Sequence, residues 1–310
     1  MRVLRVLARR VALGLASAWA ILTTIFAMFT LTDDWVLGAQ VGRLRWVGAG
    51  EQAVQAARES YLSARGLDRP LEQVYVDWLG NMATLDWGQS FESGAAVLPM
   101  VADATARTAM YVLPALVLAV AAGLGVGLYA ALNPRGRLAE LSLVSTYLVF
   151  AVPNFWLGGM LAALAGAEVI AVPPLLVKHI LPIALTTTTL LGGYVSYTRS
   201  YATEFASTDF VKLVRAKGAG RLRVGAHVIR NAAIPVLSMV FTEALGLLLL
   251  TVFVIERLFG IPGFGTMLLG AVDQRDIPVL LGSTVVITSV GVVGSIVQDL
   301  SYGYLDPRVD

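Results

Sequence analysis

Residues 109 to 132 read Ala-Met-Tyr-Val-Leu-Pro-Ala-Leu-Val-Leu-Ala-Val-Ala-Ala-Gly-Leu-Gly-Val-Gly-Leu-Tyr-Ala-Ala-Leu, an apolar run with no charged side chain. A helix rising about 1.5 Å per residue needs roughly 20 such residues to cross about 30 Å of hydrocarbon, so this segment is long enough to span a bilayer. Working outward, five further runs have the same character: Val11–Leu31, Leu141–Ala165, Ile180–Arg199, Ile234–Ile255 and Pro278–Tyr302. The run at 180–199 is the most dilute, because Thr186–Thr189 and Gly192–Gly193 interrupt it. Small and polar residues of this kind suit a helix packed on other helices rather than on lipid. The whole chain agrees: 310 residues, 57% hydrophobic and 14% charged, with a mean hydropathy of +0.73, exclude a soluble domain. The expected fold class is all-α, a polytopic membrane protein with six transmembrane helices.

Sidedness follows from Lys and Arg. Arg2, Arg5, Arg9 and Arg10 precede the first run, which continues to Leu31 and is too long for a cleaved leader, so it reads as a retained signal anchor with its amino terminus inside. Alternating from there puts Arg135, Arg137, Arg199 and the basic cluster from Lys212 to Arg230 on the inner side. Most of the outer cations fall in one long segment where the positive-inside rule has little force. Both termini are then expected to be cytoplasmic, in the plasma membrane. The expected domains are residues 1–108 (the anchor helix and an external segment), a core over 109–302 with a cytoplasmic loop at 200–233, and a cytoplasmic tail at 303–310.

In the external segment, Leu71, Val74, Tyr75, Trp78, Leu79 and Met82 recur at helical spacing, with Asp68 as the expected N-cap and Pro70 in the first turn. Such a stripe packs on the helix bundle or lies flat on the membrane; packing is the expectation.

The cytoplasmic segment from Asp209 to Pro235 combines helix-compatible spacing with a dense basic surface from Lys212, Arg215, Lys217, Arg221 and Arg223. Leu213, Val214, Ala216 and Val224 are expected to form its apolar side. Gly218, with Gly220 close behind, suits a left-handed helix end and hence a helix-turn-helix elbow. In 260–265, Gly-Ile-Pro-Gly-Phe-Gly reads as a tight turn. Glu243, near the middle of a span, is costly there unless it faces a cavity or a partner. Glu256, beside Arg257, reads as a carboxylate reaching to the outer interface.

Several segments together resemble the inner-membrane permease subunits of binding-protein-dependent ABC importers, in the dipeptide/oligopeptide branch. They are Gly66-Leu67-Asp68-Arg69-Pro70-Leu71, Leu85-Asp86-Trp87-Gly88-Gln89-Ser90, Val152-Pro153-Asn154-Phe155-Trp156-Leu157-Gly158, Arg215-Ala216-Lys217-Gly218 with Arg230-Asn231-Ala232, Pro262-Gly263-Phe264-Gly265, Arg275-Asp276 and Leu305-Asp306-Pro307-Arg308. The matches are collinear from about residue 66 onward. The resemblance implies a type I ABC importer permease fold. It also implies an ATPase-coupling role for Asp209, Phe210, Arg215, Ala216, Lys217, Gly218, Arg230 and Asn231. Pro262, Gly263 and Gly265 would stand at the outer mouth of the pathway as a gate; Glu243, which lies outside these signatures, is a further pathway candidate on its position within a span. The partners it implies are a second homologous permease, two ATP-binding subunits and an extracytoplasmic solute-binding protein, besides membrane lipid. Nucleic acid is not expected. Peptides are the leading solute class, with nickel chelates, glutathione and sugars as alternatives.

The sequence contains no G-x-x-x-x-G-K-[ST] phosphate loop, and Gly123, Gly125 and Gly127 lie inside a span, where they read as helix packing. Energy is therefore expected from another polypeptide. No cysteine is present, and His179 and His227 stand far apart, so no enzyme activity, cofactor or metal site is expected. A membrane-embedded enzyme would need a convergent nucleophile, base and oxyanion donors, none of which is grouped here. An ion-gradient transporter would need two related halves with paired intramembrane charges, and no repeat is visible. Two departures from the family pattern stand out: Leu31-Thr32-Asp33-Asp34-Trp35 replaces a Pro-Gly-Asp-Pro-like turn, and the 166–179 connection is short.

Overall fold

The computed structural model describes residues 2–167, 173–220, 222–229, 246 and 250–305. Among these, regular structure is helical except for one bridge between Gln89 and Ala96. The helices are α1 (Arg2–Leu31), α2 (Trp35–Trp46), α3 (Glu51–Ala64), α4 (Leu71–Ala83), α5 (Val97–Leu132), α6 (Arg137–Ala151), α7 (Asn154–Gly166), α8 (Leu181–Ala206, entered through a π-helical turn at Leu176–Ile180) and α9 (Asp209–Ala216). After them come α10 (222–229), α11 (Leu250–Phe259), α12 (Phe264–Asp273) and α13 (Ile277–Leu305). Four helical stretches are long and apolar enough to cross a membrane, and six are when each of two bent pairs counts as one span. The protein is thus an all-α polytopic membrane protein.

Two compact units divide the chain, one of residues 1–105 with 266–292, the other of 106–265 with 293–310. In the first, Gly14 of α1 meets α13 so closely that a Cβ would stand 2.4 Å from Val292 Cγ2. The α4 stripe packs as expected: Val74 and Met82 are buried, and Tyr75 and Trp78 set their rings 5.2 and 5.1 Å from Phe26 of α1. Asp68 does not cap this helix. Pro70 is the N-cap and no side chain bonds there, since the first helical residue follows Pro directly. The capping aspartate is instead Asp34, which accepts the Val36 and Leu37 N–H groups at 3.0 Å and starts α2.

In the second unit, α8 is the central packing element. Leu185, Thr186, Leu190, Gly192, Tyr194, Val195 and Thr198 are all buried. Gly123 and Gly127 of α5 lie so near Tyr194 and Thr198 that a Cβ would come within 2.5 and 2.6 Å of their Cβ atoms. The glycines of α5 are therefore what lets α5 approach α8, while in the 180–199 run Gly192 makes room for the Phe150 ring of α6, from which a Cβ would stand 2.5 Å.

Two expected spans differ in shape. The helix expected from Ala109 begins at Val97, because Val97, Val101 and Ala104 continue a buried helical stripe past Asp103 and Arg107, where hydropathy alone had stopped. The run expected as one rod over 141–165 is two helices, α6 and α7, bent by 76°. Pro153 supplies no N–H and holds Val152 extended (φ −76, ψ 121), so the helix ends one residue before it.

Candidate functional site

The basic elbow is built from α9 and α10. Lys217 caps α9, and Gly218 follows with φ +81. Its N–H donates to Arg215 O at 2.9 Å, and the Ala219 N–H donates to Val214 O at 3.3 Å. This pair of bonds is the Schellman closure that a glycine in the left-handed region permits. Nothing lies within 4 Å of a Cβ built on Gly218, so the requirement is conformational rather than spatial.

Val211, Val224 and Val228 are buried with Ala131 of α5 and Ala202 of α8, and Leu128, Phe205 and Val214 pack around them. The elbow is thus fixed both to α8, which it follows in the chain, and to α5. Phe210 meets His227 edge-on, with ring centroids 5.7 Å apart, which joins the two arms and accounts for a histidine without ligand-spaced companions. The apolar side differs from the expected one. Leu213 is 54% exposed and Ala216 is exposed, while Val211 and Val228 take the buried places, because a helix presents i, i+3 and i+4 to one face and Val211 and Val214 define that face. Phe210 (52%) and Leu222 (92%) are exposed too, among the cations Lys212, Arg215, Lys217 and Arg223. Asp209 is exposed and pairs with Lys212 at 2.8 Å. A groove of about 530 Å³ runs beside the elbow, lined by Leu128, Leu132, Asn133, Arg215, Leu222 and Ile229 among others. Arg230, Asn231 and Glu243 lie outside the described residues.

The 260–265 turn has a specific anchor. Gly260 (φ +61) ends α11, and the Ile261 N–H donates to Glu256 O at 2.9 Å. Glu256 is fully buried rather than reaching an interface. Its carboxylate accepts from the hydroxyls of Thr108 (2.5 Å) and Tyr111 (3.3 Å), and Thr108 in turn accepts from the Phe264 N–H at 2.8 Å. A Cβ on Gly263 would stand 2.2 Å from Glu256 Oε1, and one on Gly265 would stand 2.9 Å from Val252 Cγ1. Arg107 donates to Pro262 O at 3.1 Å. Gly263 is therefore held against the buried carboxylate and Thr108, whereas Pro262 is held by Arg107 and Gly265 lies against Val252 and Phe253. Sequence reading missed Thr108 and Tyr111, whose partners are remote in the chain.

A second network joins two signature segments. The Arg275 guanidinium, 4% exposed, donates to the Asp33, Thr32 and Phe29 carbonyls at the end of α1, with 2.7 Å to Asp33 O and 3.0 Å to Thr32 O. Its Nε lies 3.4 Å from Asp34, and its Cζ stands over the Trp35 ring at 4.8 Å. A cation at a helix carboxyl end satisfies free carbonyls and complements the helix dipole. Tyr61 also donates to the Asp34 carboxylate, at 3.0 Å. Burial first, and this carboxylate second, push the Tyr61 hydroxyl up to about 12, so it remains a donor at neutral pH. Asp276, the next residue, accepts from the Ser90 hydroxyl at 2.5 Å. Trp87 is buried against Gly282, where a Cβ would come within 2.6 Å of the indole.

Long apolar helices and a basic elbow packed on two of them fit the permease resemblance of the sequence. Comparison with known proteins agrees: residues 123–310 match the family described as binding-protein-dependent transport system inner membrane component. The chain is 30% identical over 297 residues to the dipeptide transport system permease protein DppB of Bacillus subtilis (strain 168), covering 94% of this chain and 95% of that one. It is 29% identical over 272 residues to the oligopeptide transport system permease protein AppB of the same organism (83% and 86%). Against DppB of Escherichia coli (strain K12) it is 29% identical over 299 residues (84% and 88%). The chain belongs to the binding-protein-dependent inner membrane component family. It is a permease subunit of an ABC importer, not an enzyme, and works with a second permease and with the ATPase subunits that hydrolyse ATP.

Proposed function

We propose that the chain forms, with its homologous second permease, the pathway by which peptides cross the plasma membrane. An extracytoplasmic solute-binding protein would deliver them. The relatives, named as dipeptide and oligopeptide transport permeases, support the solute class. In this reading six spans cross the bilayer, α6 with α7 counting as one and residues 234–255 forming the fifth as the sequence implies, and both termini are cytoplasmic. The short basic segments on the inner side support that orientation.

Coupling runs through the elbow. The observation that carries this reading is a surface that mixes exposed Phe210, Leu213 and Leu222 with Lys212, Arg215 and Lys217 on a turn held by buried valines. Solvated cations alone would satisfy the positive-inside rule. Exposed large apolar groups among them are the composition of a protein contact. Closure of the ATPase dimer would push the elbow as a unit, and α5 and α8 packed against it would tilt, as rigid packed elements do. Asp209, Ala216, Gly218, Arg230 and Asn231 belong to the same segment. The 260–265 turn, with Pro262, Gly263 and Gly265, is the proposed outer gate, and Glu243 a proposed pathway residue.

The experiment is co-purification. Replacing Phe210 and Leu213 with Ser in a tagged chain should lower the recovered ATPase subunit at least tenfold while recovery of the second permease is kept. Undiminished ATPase recovery would remove the elbow from the coupling interface.

A further inference from the structure

A cavity of about 190 Å³ lies within the first unit, between α4, the turn after α3 and the 87–91 segment. The turn is another left-handed glycine closure: Gly66 has φ +63, with Gly66 N–H donating to Ser63 O (3.0 Å) and Leu67 N–H to Leu62 O (2.9 Å). It brings Arg65 and Arg69, four residues apart across the turn, to the same cavity. Their situations differ. Arg69 is neutralised by Asp77 at 2.8 Å. Arg65 has no carboxylate partner among the described residues; its guanidinium stands 3.7 Å over the Tyr61 ring and 5.2 Å from Phe91. Its Nε is buried and makes no hydrogen bond. A guanidinium that lines a cavity between two rings and has no carboxylate partner among the described residues is a cation suited to an anion entering that cavity. Trp78, Trp87, Asn81, Gln89 and Asp77 are among the other residues that line the space.

We propose that this cavity binds the carboxylate end of a small organic acid of peptide type, with the carboxylate on Arg65 and the adjoining amide beside Asn81 and Gln89. An inorganic anion would use the cation alone and leave the indoles and amides without a role. The volume, about six waters' share, holds one terminal residue. The inference comes from this cavity's own charges and walls and stands apart from the proposed pathway.

The test uses the complete permease–ATPase complex in lipid nanodiscs without ATP, reading tryptophan fluorescence during titration with glycylglycine, glycylglycinamide and sodium phosphate. Glycylglycine should give a saturable change, with the amide and phosphate at least tenfold weaker. Arg65→Gln should weaken glycylglycine at least tenfold, and Arg65→Lys, which keeps the charge but not the fork, severalfold. Should Arg65→Gln fail to assemble, Gln89→Leu leaves the cation in place and should weaken glycylglycine relative to acetate. Equal binding of acid and amide, equal binding of phosphate, or parental affinity in Arg65→Gln or Gln89→Leu overturns the proposal. Binding here without peptide import would count against the pathway's solute class alone, and import without binding against this site alone.

Discussion

Arg275 sits in the left-handed region at φ +55, in a turn that sends its side chain to the end of α1 and the next residue, Asp276, to Ser90. Both side chains are almost fully buried, so their partners decide whether burial is tolerated. Removing the guanidinium would leave three helix-end carbonyls and the Asp34 carboxylate without their cation. Arg275→Ala should therefore cost about 3 kcal/mol, the usual range when a buried ion pair loses one member. Arg275→Lys should recover only part, because an ammonium cannot reach Asp33, Thr32 and Asp34 from a planar fork. Thermal unfolding of the detergent-solubilised chain measures this, and an unchanged midpoint for the Ala variant would show that the network contributes nothing. Asp34 is at once the capping residue of α2 and the counter-ion of Arg275.

At the scale of elements, the α6–α7 bend is made twice over. Pro153 ends α6, and Asn154 then fastens α7 to α8: its amide donates to Leu185 O at 3.1 Å and to Thr189 Oγ1, and its carbonyl accepts from Thr188 Oγ1 at 3.1 Å. The consequences of substitution should be unequal. Asn154→Ala leaves the Thr188 and Thr189 hydroxyls with only their own helix carbonyls and should destabilise by about 1–3 kcal/mol. Pro153→Ala should cost less than about 1 kcal/mol, since the Asn154 bonds still hold the bend. Spin labels at Leu141 and Ala163 check the geometry. Their separation should stay near the parental value in Pro153→Ala and lengthen when both residues are replaced.

For the whole molecule the decisive prediction concerns sidedness. The chain has no cysteine, so single substitutions can be labelled cleanly. Lys217→Cys should react with an impermeant maleimide only from the cytoplasmic side, and Ser93→Cys only from the outside. Both residues are exposed in the structure. Reaction of both from one side would overturn the six-span arrangement and with it the docking of the elbow on an ATPase.

The membrane class, the approximate spans, the left-handed turn at Gly218 and the family were all legible in the chain, because hydropathy, helical period and a glycine's dihedral freedom act over a few residues. The packing role of Gly123 and Gly127 was also legible from their position inside a span, whereas Gly125, read the same way, has nothing within 4 Å of a Cβ built on it. Tertiary structure alone decided which apolar groups of the elbow are buried, that Glu256 faces Thr108 and Tyr111 instead of an interface, that Arg275 closes the end of α1, and that Arg65 lines a cavity between two rings. These depend on contacts between residues from tens to more than two hundred positions apart. Local periodicity tells which side of a helix is apolar, but not which neighbour arrives to cover it.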